Sequence, residues 1–317
     1  MREWMGRLLE SRAPDTIEEN DRLGRYWVRG ELPVMLWQDI PASSEFLWLH
    51  CDQPAQASGP YKDAPIVYKT NANGFRSREI DLASTNKKIM FVGCSITMGV
   101  GVPYDEVWTS VATQSIEASL GVPVEQHNLG YSGHGNDFFS MLVHQVLPIL
   151  KPDLLVVLFA EFARRTHFHR FGRSKPFLPG WVMANQKAEY EAFIQLQTES
   201  NDFMDFVRQH SLIDATARLN GIPWAWQTWA QRSLPAPAQL QKYVRTDNMI
   251  DCPFPTFGPA ATNDTMRADL ARDGVHPGPR TNREFGLATA RFVLDGGLLA
   301  EPRHGRKAST ADGCVTG

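Results

Sequence analysis

Short apolar runs that alternate with helical stretches constrain the fold of this chain more than any other feature. Six consecutive apolar residues occupy positions 154–159, and a second apolar run at 89–92 ends at Gly93. Uninterrupted apolar runs of this length are typical of parallel strands that are buried on both faces. We predict further strands after residues 122 and 221, and helices at about 105–120, 136–150, 187–220 and 280–294.

Repeated strand-helix units favour one arrangement of the chain. A crossover between parallel strands must pack back on the sheet, so that helices cover both of its faces. The pattern therefore predicts an α/β fold, a three-layer α/β/α sandwich with a central parallel sheet. Ligands of such folds bind at the carboxyl ends of the strands.

The two ends of the sequence lack this alternation. Residues 1–86 contain several prolines and aromatic residues in an irregular pattern, and we predict an N-terminal accessory segment that packs over the main domain. The main domain is predicted at 87–300. The small, polar residues 301–317 are predicted to form a disordered tail.

The composition and net charge of the chain limit the kinds of molecule that it is expected to bind. The chain has 317 residues, of which 43% are hydrophobic, enough for a large core. Its formal net charge of -3 gives no general attraction for nucleic acid or anionic membranes. We expect no membrane span and no export signal, and the four scattered cysteines predict neither a disulfide framework nor a metal site. A cytoplasmic protein without a cofactor, acting on a small molecule or a carbohydrate, fits these observations best.

Ser95 is the first candidate for chemistry. It follows the predicted strand at 89–92 and stands in the turn before a helical region. Such a turn exposes a hydroxyl near backbone N–H groups, as an acyl-transfer nucleophile requires. A serine in this position is more often only a helix cap, so Ser95 alone does not establish a function.

A second pattern lies far downstream, just before the last predicted helix. Asp273 precedes His276 by three residues, so one short loop can carry a base and the carboxylate that orients it. A histidine before a proline is otherwise usually a surface residue. Ser95, Asp273 and His276 together indicate a catalytic triad more specifically than either pattern alone.

These segments resemble the SGNH hydrolases, also called GDSL esterases and lipases. Residues 93–97, Gly-Cys-Ser-Ile-Thr, are similar to the family's first block, and 128–130, Asn-Leu-Gly, to its second. Asp273 and His276 match its last block, and 70–76 resembles the lead-in of many bacterial members. The resemblance implies a flavodoxin-like sheet of the SGNH type, with the N–H groups of Ser95 and Gly130 forming the oxyanion hole.

Two positions depart from the family's pattern. Cys94 replaces the aspartate that usually precedes the nucleophile. After the third strand the family has an asparagine that helps to hold the oxyanion, whereas residues 160–163 here are Ala-Glu-Phe-Ala. Asn136 and Arg164 are the candidates for a substitute third donor. Loss of one donor costs on the order of 10²–10³ in rate.

The resemblance implies a serine esterase or acyltransferase that works through an acyl-Ser95 intermediate. Its substrate would be an acyl or acetyl ester of a small molecule or carbohydrate. The altered third block keeps an alternative open, a catalytically degenerate ligand-binding protein on the same fold. Trp224, Trp226 and Trp229 could stack on a sugar or could simply pack in the core.

Overall fold

The computed structural model describes residues 45–47, 59–63, 66–169, 173–177, 197–255 and 269–300. The predicted tail at 301–317, the start of the helix predicted at 187 and most of the accessory segment lie outside these ranges. The strands are β1 (Glu45–Leu47), β2 (Val67–Lys69), β3 (Lys87–Gly93), β4 (Val124–Gly130), β5 (Leu154–Phe159), β6 (Arg165–His169), β7 (Arg173–Phe177) and β8 (Trp224–Thr228). The helices of four or more residues are α1 (Ser95–Met98), α2 (Trp108–Leu120), α3 (Asn136–Leu150), α4 (Glu199–Leu219), α5 (Pro237–Leu240) and α6 (Pro279–Asp295).

The central sheet is parallel and has the strand order β4-β3-β5-β8. Numbered along the chain, these strands run 2-1-3-4, which is the flavodoxin-like order. A parallel bridge between Trp226 and Met249 continues the sheet beyond β8. Strands β1 and β2, and β6 and β7, form separate antiparallel pairs. The predicted α/β fold with a central parallel sheet is confirmed.

Helices cover both faces of this sheet. The chain steps from β3 to β4 and then returns across β3 to β5, so right-handed crossovers put α2 on one face and α3 and α4 on the other. Helix α6 packs against α2, and α3 packs against α4. The result is the three-layer sandwich predicted from the sequence.

The burial of the central strands explains why their apolar runs could be found in the sequence. Every residue of β5 is at most 1% exposed, as expected for a strand between two helical layers. The boundaries of α3 match the prediction, whereas α2 begins at Trp108 and α4 begins at Glu199, where the Thr198 side chain caps it by accepting the Asn201 N–H. None of the described helices is long and apolar enough to cross a membrane.

Part of the predicted accessory segment is an integral part of the core. Ile66, Tyr68, Phe75 and Ile80 are buried in the same hydrophobic cluster as the strands of the central sheet. Arg76, also in this segment, is only 1% exposed. The residues from 66 onward therefore pack tightly on the αβ domain.

Candidate active site

Ser95 lies at the carboxyl end of β3, as the first residue of α1. The turn into the helix is tight, because a Cβ on Gly93 would lie 2.8 Å from the carbonyl oxygen of Leu158 in the neighbouring strand. Cys94 is fully buried and extended, and it turns the chain into the helix. Backbone N–H groups in the first turn of a helix have no acceptor within that helix, so the Ser95 N–H has no partner within α1.

His276 reaches Ser95 from the loop that precedes α6. Its Nε2 lies 2.7 Å from the Ser95 Oγ, although the two residues are 181 positions apart. The loop is held by backbone hydrogen bonds, since Ala271 N–H donates to the His276 carbonyl at 2.9 Å. Asn282 in α6 donates to the Pro277 carbonyl at 3.0 Å and accepts from the Trp108 N–H of α2 at 3.1 Å. The packing of α6 on α2 therefore brings the histidine to the serine.

Asp273 extends the line of hydrogen bonds beyond His276. Its Oδ2 accepts a hydrogen bond from His276 Nδ1, and its Oδ1 accepts the backbone N–H groups of Val275 and His276, each at 3.0 Å. Burial alone would raise the pKa of Asp273, but the hydrogen bonds from His276 and Val275 outweigh it and hold the pKa below its usual range. The carboxylate thus stays ionised and keeps the Nδ1 proton, which leaves the Nε2 lone pair free to accept the Ser95 proton.

Gly130 does not occupy the role that the sequence predicted for it. Its N–H donates to Asn128 Oδ1 at 2.9 Å, inside the buried end of β4. A Cβ at this position would lie 2.3 Å from Met98 N and 2.7 Å from the Thr97 carbonyl carbon. The glycine is required because α1 packs directly on β4. The prediction that Gly130 donates to an oxyanion is corrected, since its N–H already has an acceptor.

The two candidates for a third donor have other partners. Asn136 bonds to both backbone groups of Ala160, accepting its N–H at 2.8 Å and donating to its carbonyl at 3.3 Å. It lies at the first position of α3 and joins that helix to the end of β5. Arg164 pairs with Glu161 at 3.4 Å, and its guanidinium lies 5.1 Å from the centre of the Trp229 ring.

Phe162, which together with Glu161 is a candidate for the place of the asparagine in SGNH hydrolases, belongs to the core. Its ring stacks on Phe206 of α4 with centroids 4.2 Å apart, and the residue is 4% exposed. Glu161 beside it is half-exposed and faces Arg164. The altered third block is therefore an apolar contact with α4.

The three tryptophans do not form a common surface. Trp224 and Trp226 are buried, and their indole N–H groups donate to Asp214 and to the Arg245 carbonyl, each at 3.0 Å. They pack in the core, so a sugar-binding platform of all three residues is excluded. In the part of the chain that the structure describes, no group of three or more His, Cys, Asp and Glu side chains could hold a metal ion.

Sequence reasoning missed two side chains that hold the nucleophile loop. The Arg76 guanidinium donates to the Val102 carbonyl at 2.9 Å, and the Tyr68 hydroxyl accepts the Gly101 N–H at 2.7 Å. The lead-in motif at 70–76 pointed to this segment, but its pattern gave no indication of what the arginine contacts. The arginine that ends this motif, directly after Phe75, is the only sequence signal that could have drawn attention to it.

Comparison with known proteins gives weak similarities. No family model and no curated protein matches the chain. A structure titled TesA is 13% identical with a TM-score of 0.43, over 66% of this chain and 99% of that one. A G-D-S-L family lipolytic protein from Veillonella parvula is 16% identical (TM-score 0.35, 66% and 97% covered). A family 3 carbohydrate esterase from Clostridium thermocellum is 12% identical (TM-score 0.39, 66% and 96% covered).

One of these structures carries the name of the G-D-S-L group, which the motifs of this chain resemble. The chemistry follows from the site itself. A serine hydroxyl, an imidazole and a buried carboxylate lie in one hydrogen-bonded line at the carboxyl edge of the sheet. Such an arrangement can deprotonate the hydroxyl as it attacks an electrophilic carbon and can return the proton to a leaving group.

Proposed function

We propose that the chain is a serine-dependent carboxylic ester hydrolase or acyltransferase of the SGNH type. The observation that carries this proposal is the line of hydrogen bonds from Ser95 Oγ through His276 to Asp273. A substrate ester of a small molecule or carbohydrate would bind at the carboxyl edge of the sheet, above Ser95.

The first half-reaction forms an acyl-enzyme. Ser95 Oγ attacks the ester carbonyl carbon while its proton passes to His276 Nε2. Asp273 stabilises the imidazolium that results, because the carboxylate stays ionised and faces Nδ1. The tetrahedral intermediate then collapses, the bond from the carbonyl carbon to the alkoxy oxygen breaks, and the imidazolium gives its proton to the leaving alcohol.

The second half-reaction regenerates Ser95. Water, or a second alcohol in a transferase, gives a proton to His276 Nε2 as it attacks the acyl carbon, and Ser95 takes that proton back when the acyl bond breaks. The product is a carboxylic acid in hydrolysis and a new ester in transfer. Ser95, His276 and Asp273 would act in the same way in hydrolysis and in transfer. Whether water or a second alcohol reaches the acyl-enzyme determines which of the two reactions occurs.

The oxyanion needs donors other than Gly130. We infer that the Ser95 N–H supplies one and that the Gly133 N–H supplies another. Gly133 has a φ of 78°, a conformation that favours glycine, and no described residue accepts its N–H. Its loop starts beside the nucleophile strand, because Tyr131 N–H donates to the Gly93 carbonyl at 2.8 Å. If the described residues supply these two backbone donors and no third, the enzyme should be slower than one with a complete hole by roughly 10²–10³.

Hydrolysis of p-nitrophenyl acetate tests the proposal. The wild type should release p-nitrophenol enzymatically, and Ser95→Ala should lose about 10³-fold or more of kcat. Ser140→Ala is the matched control, since that hydroxyl binds the Asp137 carbonyl at 3.0 Å within α3 and should leave the rate unchanged. A fluorophosphonate probe should add to the wild-type mass and not to that of Ser95→Ala.

The alternative is a binding protein that kept the fold and lost turnover. The burial of Phe162 in place of an oxyanion donor is the observation that favours it. Equal rates for the wild type and Ser95→Ala, with no labelling of Ser95 by the probe, would establish this alternative and end the enzyme proposal.

A further inference from the structure

The loop at residues 99–102, between α1 and the short turn before α2, is hydrogen-bonded both to Ser95 and to the segment that carries Asp273. On one side, the N–H groups of Gly99 and Val100 donate to the Ser95 carbonyl at 2.9 and 3.0 Å. On the other side, the Gly101 carbonyl accepts the Arg272 N–H at 2.9 Å, next to Asp273. A displacement of this loop therefore moves the nucleophile relative to its base.

Space around the loop is tight, so its position is well defined. A Cβ on Gly101 would lie 2.7 Å from the Ala271 Cβ, and one on Gly99 would lie 2.2 Å from a Val107 methyl group. Both glycines have positive φ values, 80° for Gly99 and 76° for Gly101. The loop can approach the Asp273 loop this closely because Gly101 carries no side chain, and Gly99 leaves room for Val107 in the same way.

Arg76 holds the loop through its carbonyl groups. Its guanidinium donates to the Val102 carbonyl at 2.9 Å, to the Met98 carbonyl at 3.3 Å and to the Gly99 carbonyl. The last carbonyls of a helix lack N–H partners within it, and a cationic side chain is a favourable donor there. Arg76 therefore fixes the carboxyl end of the one-turn helix that Ser95 begins.

Tyr68 holds the same loop from β2. Its hydroxyl accepts the Gly101 N–H at 2.7 Å, and its ring centroid lies 4.4 Å from the Arg76 guanidinium carbon. The Tyr68 side chain is fully buried, and a cation over a ring is attracted by the electrons of its face. The two side chains thus form one unit, which we call the Tyr68–Arg76 clamp.

We propose that Tyr68 and Arg76 are positioning residues that fix Ser95 Oγ at hydrogen-bond distance from His276. The inference rests on the proposed function for its kinetic test. A bond of 2.7 Å tolerates little displacement, and a shift of about 1 Å at a reacting group can cost about 10²-fold in rate. Both side chains of the clamp are at most 1% exposed and so are closed to a substrate, and loss of the clamp should therefore lower kcat and leave KM nearly constant.

The kinetic experiment uses full-length variants and p-nitrophenyl acetate. Tyr68→Phe removes one acceptor and should lower kcat about 10-fold, and Arg76→Met should lower it about 10²-fold, with KM changing less than about 2-fold. Arg76→Lys should recover only part of the rate, because an ammonium lacks the planar fork that serves several carbonyls. Since both residues act through one loop, the double variant should lose less than the product of the two single losses.

Ile213→Val is the matched control. Ile213 is fully buried in α4, on the face of the sheet away from α2, so its truncation lowers stability without touching the clamp. The control should show a lower melting temperature and an unchanged kcat. If Arg76→Met does not fold, the kcat of Tyr68→Phe tests the proposal instead. This variant loses only one oxygen atom, so we expect it to fold.

A spectroscopic measurement separates failure of the clamp from failure of the enzyme proposal. The proton between His276 Nδ1 and Asp273 should give a downfield proton resonance in the wild type and in Ile213→Val. The chemical shift of this resonance should change in Tyr68→Phe and Arg76→Lys, because the imidazole no longer has the same partner in Ser95. Folded clamp variants with wild-type kcat and an unchanged resonance would overturn the proposal. If the wild type itself has no turnover, the comparison of these resonances alone decides whether the clamp proposal holds.

Discussion

Replacing Asp273 with asparagine should remove most of the turnover and only a modest part of the stability. The carboxylate has two distinct tasks in the structure. Oδ1 accepts two backbone N–H groups, from Val275 and His276, at 3.0 Å each, and Oδ2 accepts His276 Nδ1. An asparagine side chain offers one acceptor oxygen and one NH₂ group in place of two acceptors.

The contacts determine which way the amide will turn. With its oxygen toward the two backbone N–H groups, both of those donors remain satisfied. The opposite orientation would place the NH₂ group against two donors and leave them buried without acceptors, at a cost of about 1–3 kcal/mol each. The NH₂ group therefore faces His276 Nδ1, which must become an acceptor, and the ring proton moves to Nε2. An Nε2 that carries a proton cannot accept another from Ser95.

The expected loss follows from this change of tautomer. A histidine in the wrong tautomer costs up to about 10⁴-fold in kcat in a serine protease triad, equivalent to about 5.5 kcal/mol of activation free energy. Loss of hydrogen bonds to a charged group should lower the free energy of unfolding by about 1.5–3 kcal/mol. Initial rates on p-nitrophenyl acetate and urea unfolding curves measure the two effects separately.

Asp269→Asn is the matched control for this experiment. Asp269 is 5% exposed, and its carboxylate accepts the N–H groups of Arg280 and Thr281, at 3.1 and 2.7 Å, at the start of α6. Its replacement should lower stability by a similar amount and leave kcat within about 3-fold of the wild type. If Asp273→Asn keeps more than about a tenth of wild-type kcat, or if Asp269→Asn loses as much, the orientation argument is refuted.

Two further outcomes are expected. Phe162→Asn should lower the free energy of unfolding by about 3 kcal/mol or more, because it replaces a ring stacked on Phe206 with a buried amide. It should not raise kcat. A folded variant with a higher kcat would show that the side chain at position 162 can face the site. Burial lowers the pKa of His210 to about 4. Between about pH 6.5 and pH 4 this histidine therefore binds a proton in the unfolded chain but stays neutral in the folded chain. The free energy of unfolding consequently falls as the pH drops through this range. His210→Phe should reduce this loss by up to about 3 kcal/mol, and an unchanged slope in denaturation between those pH values would contradict it.

The sequence predicted those parts of the molecule that depend on local patterns. Residues 154–159 formed a buried strand because six apolar side chains can be buried only between two layers. Asp273 and His276 share one loop, so their spacing was enough to suggest their pairing. That the loop meets Ser95 followed from the topology, since the carboxyl ends of parallel strands lie at one edge.

Contacts between distant segments could not be predicted in this way. Gly130 was expected to donate to an oxyanion, but the side chain of Asn128, two residues earlier on the same strand, takes its N–H. Whether a strand residue donates to a neighbour or to a ligand depends on rotamers that the pattern does not specify. Arg76 was recognised only as part of a motif, because the carbonyls that it binds lie 22 to 26 residues later.

The position of His276 on the segment that precedes α6 also determines when the molecule can become active. Strands β3, β4, β5 and β8 can pair before the C-terminal helix arrives, but His276 meets Ser95, 181 residues away, only after α6 has docked on α2. Closing so long a loop is slow compared with helix formation. During refolding, native-like circular dichroism should therefore return before any capacity to cleave an ester. A nascent chain would likewise carry Ser95 without its base, and therefore unactivated, until nearly all of the domain has been synthesised.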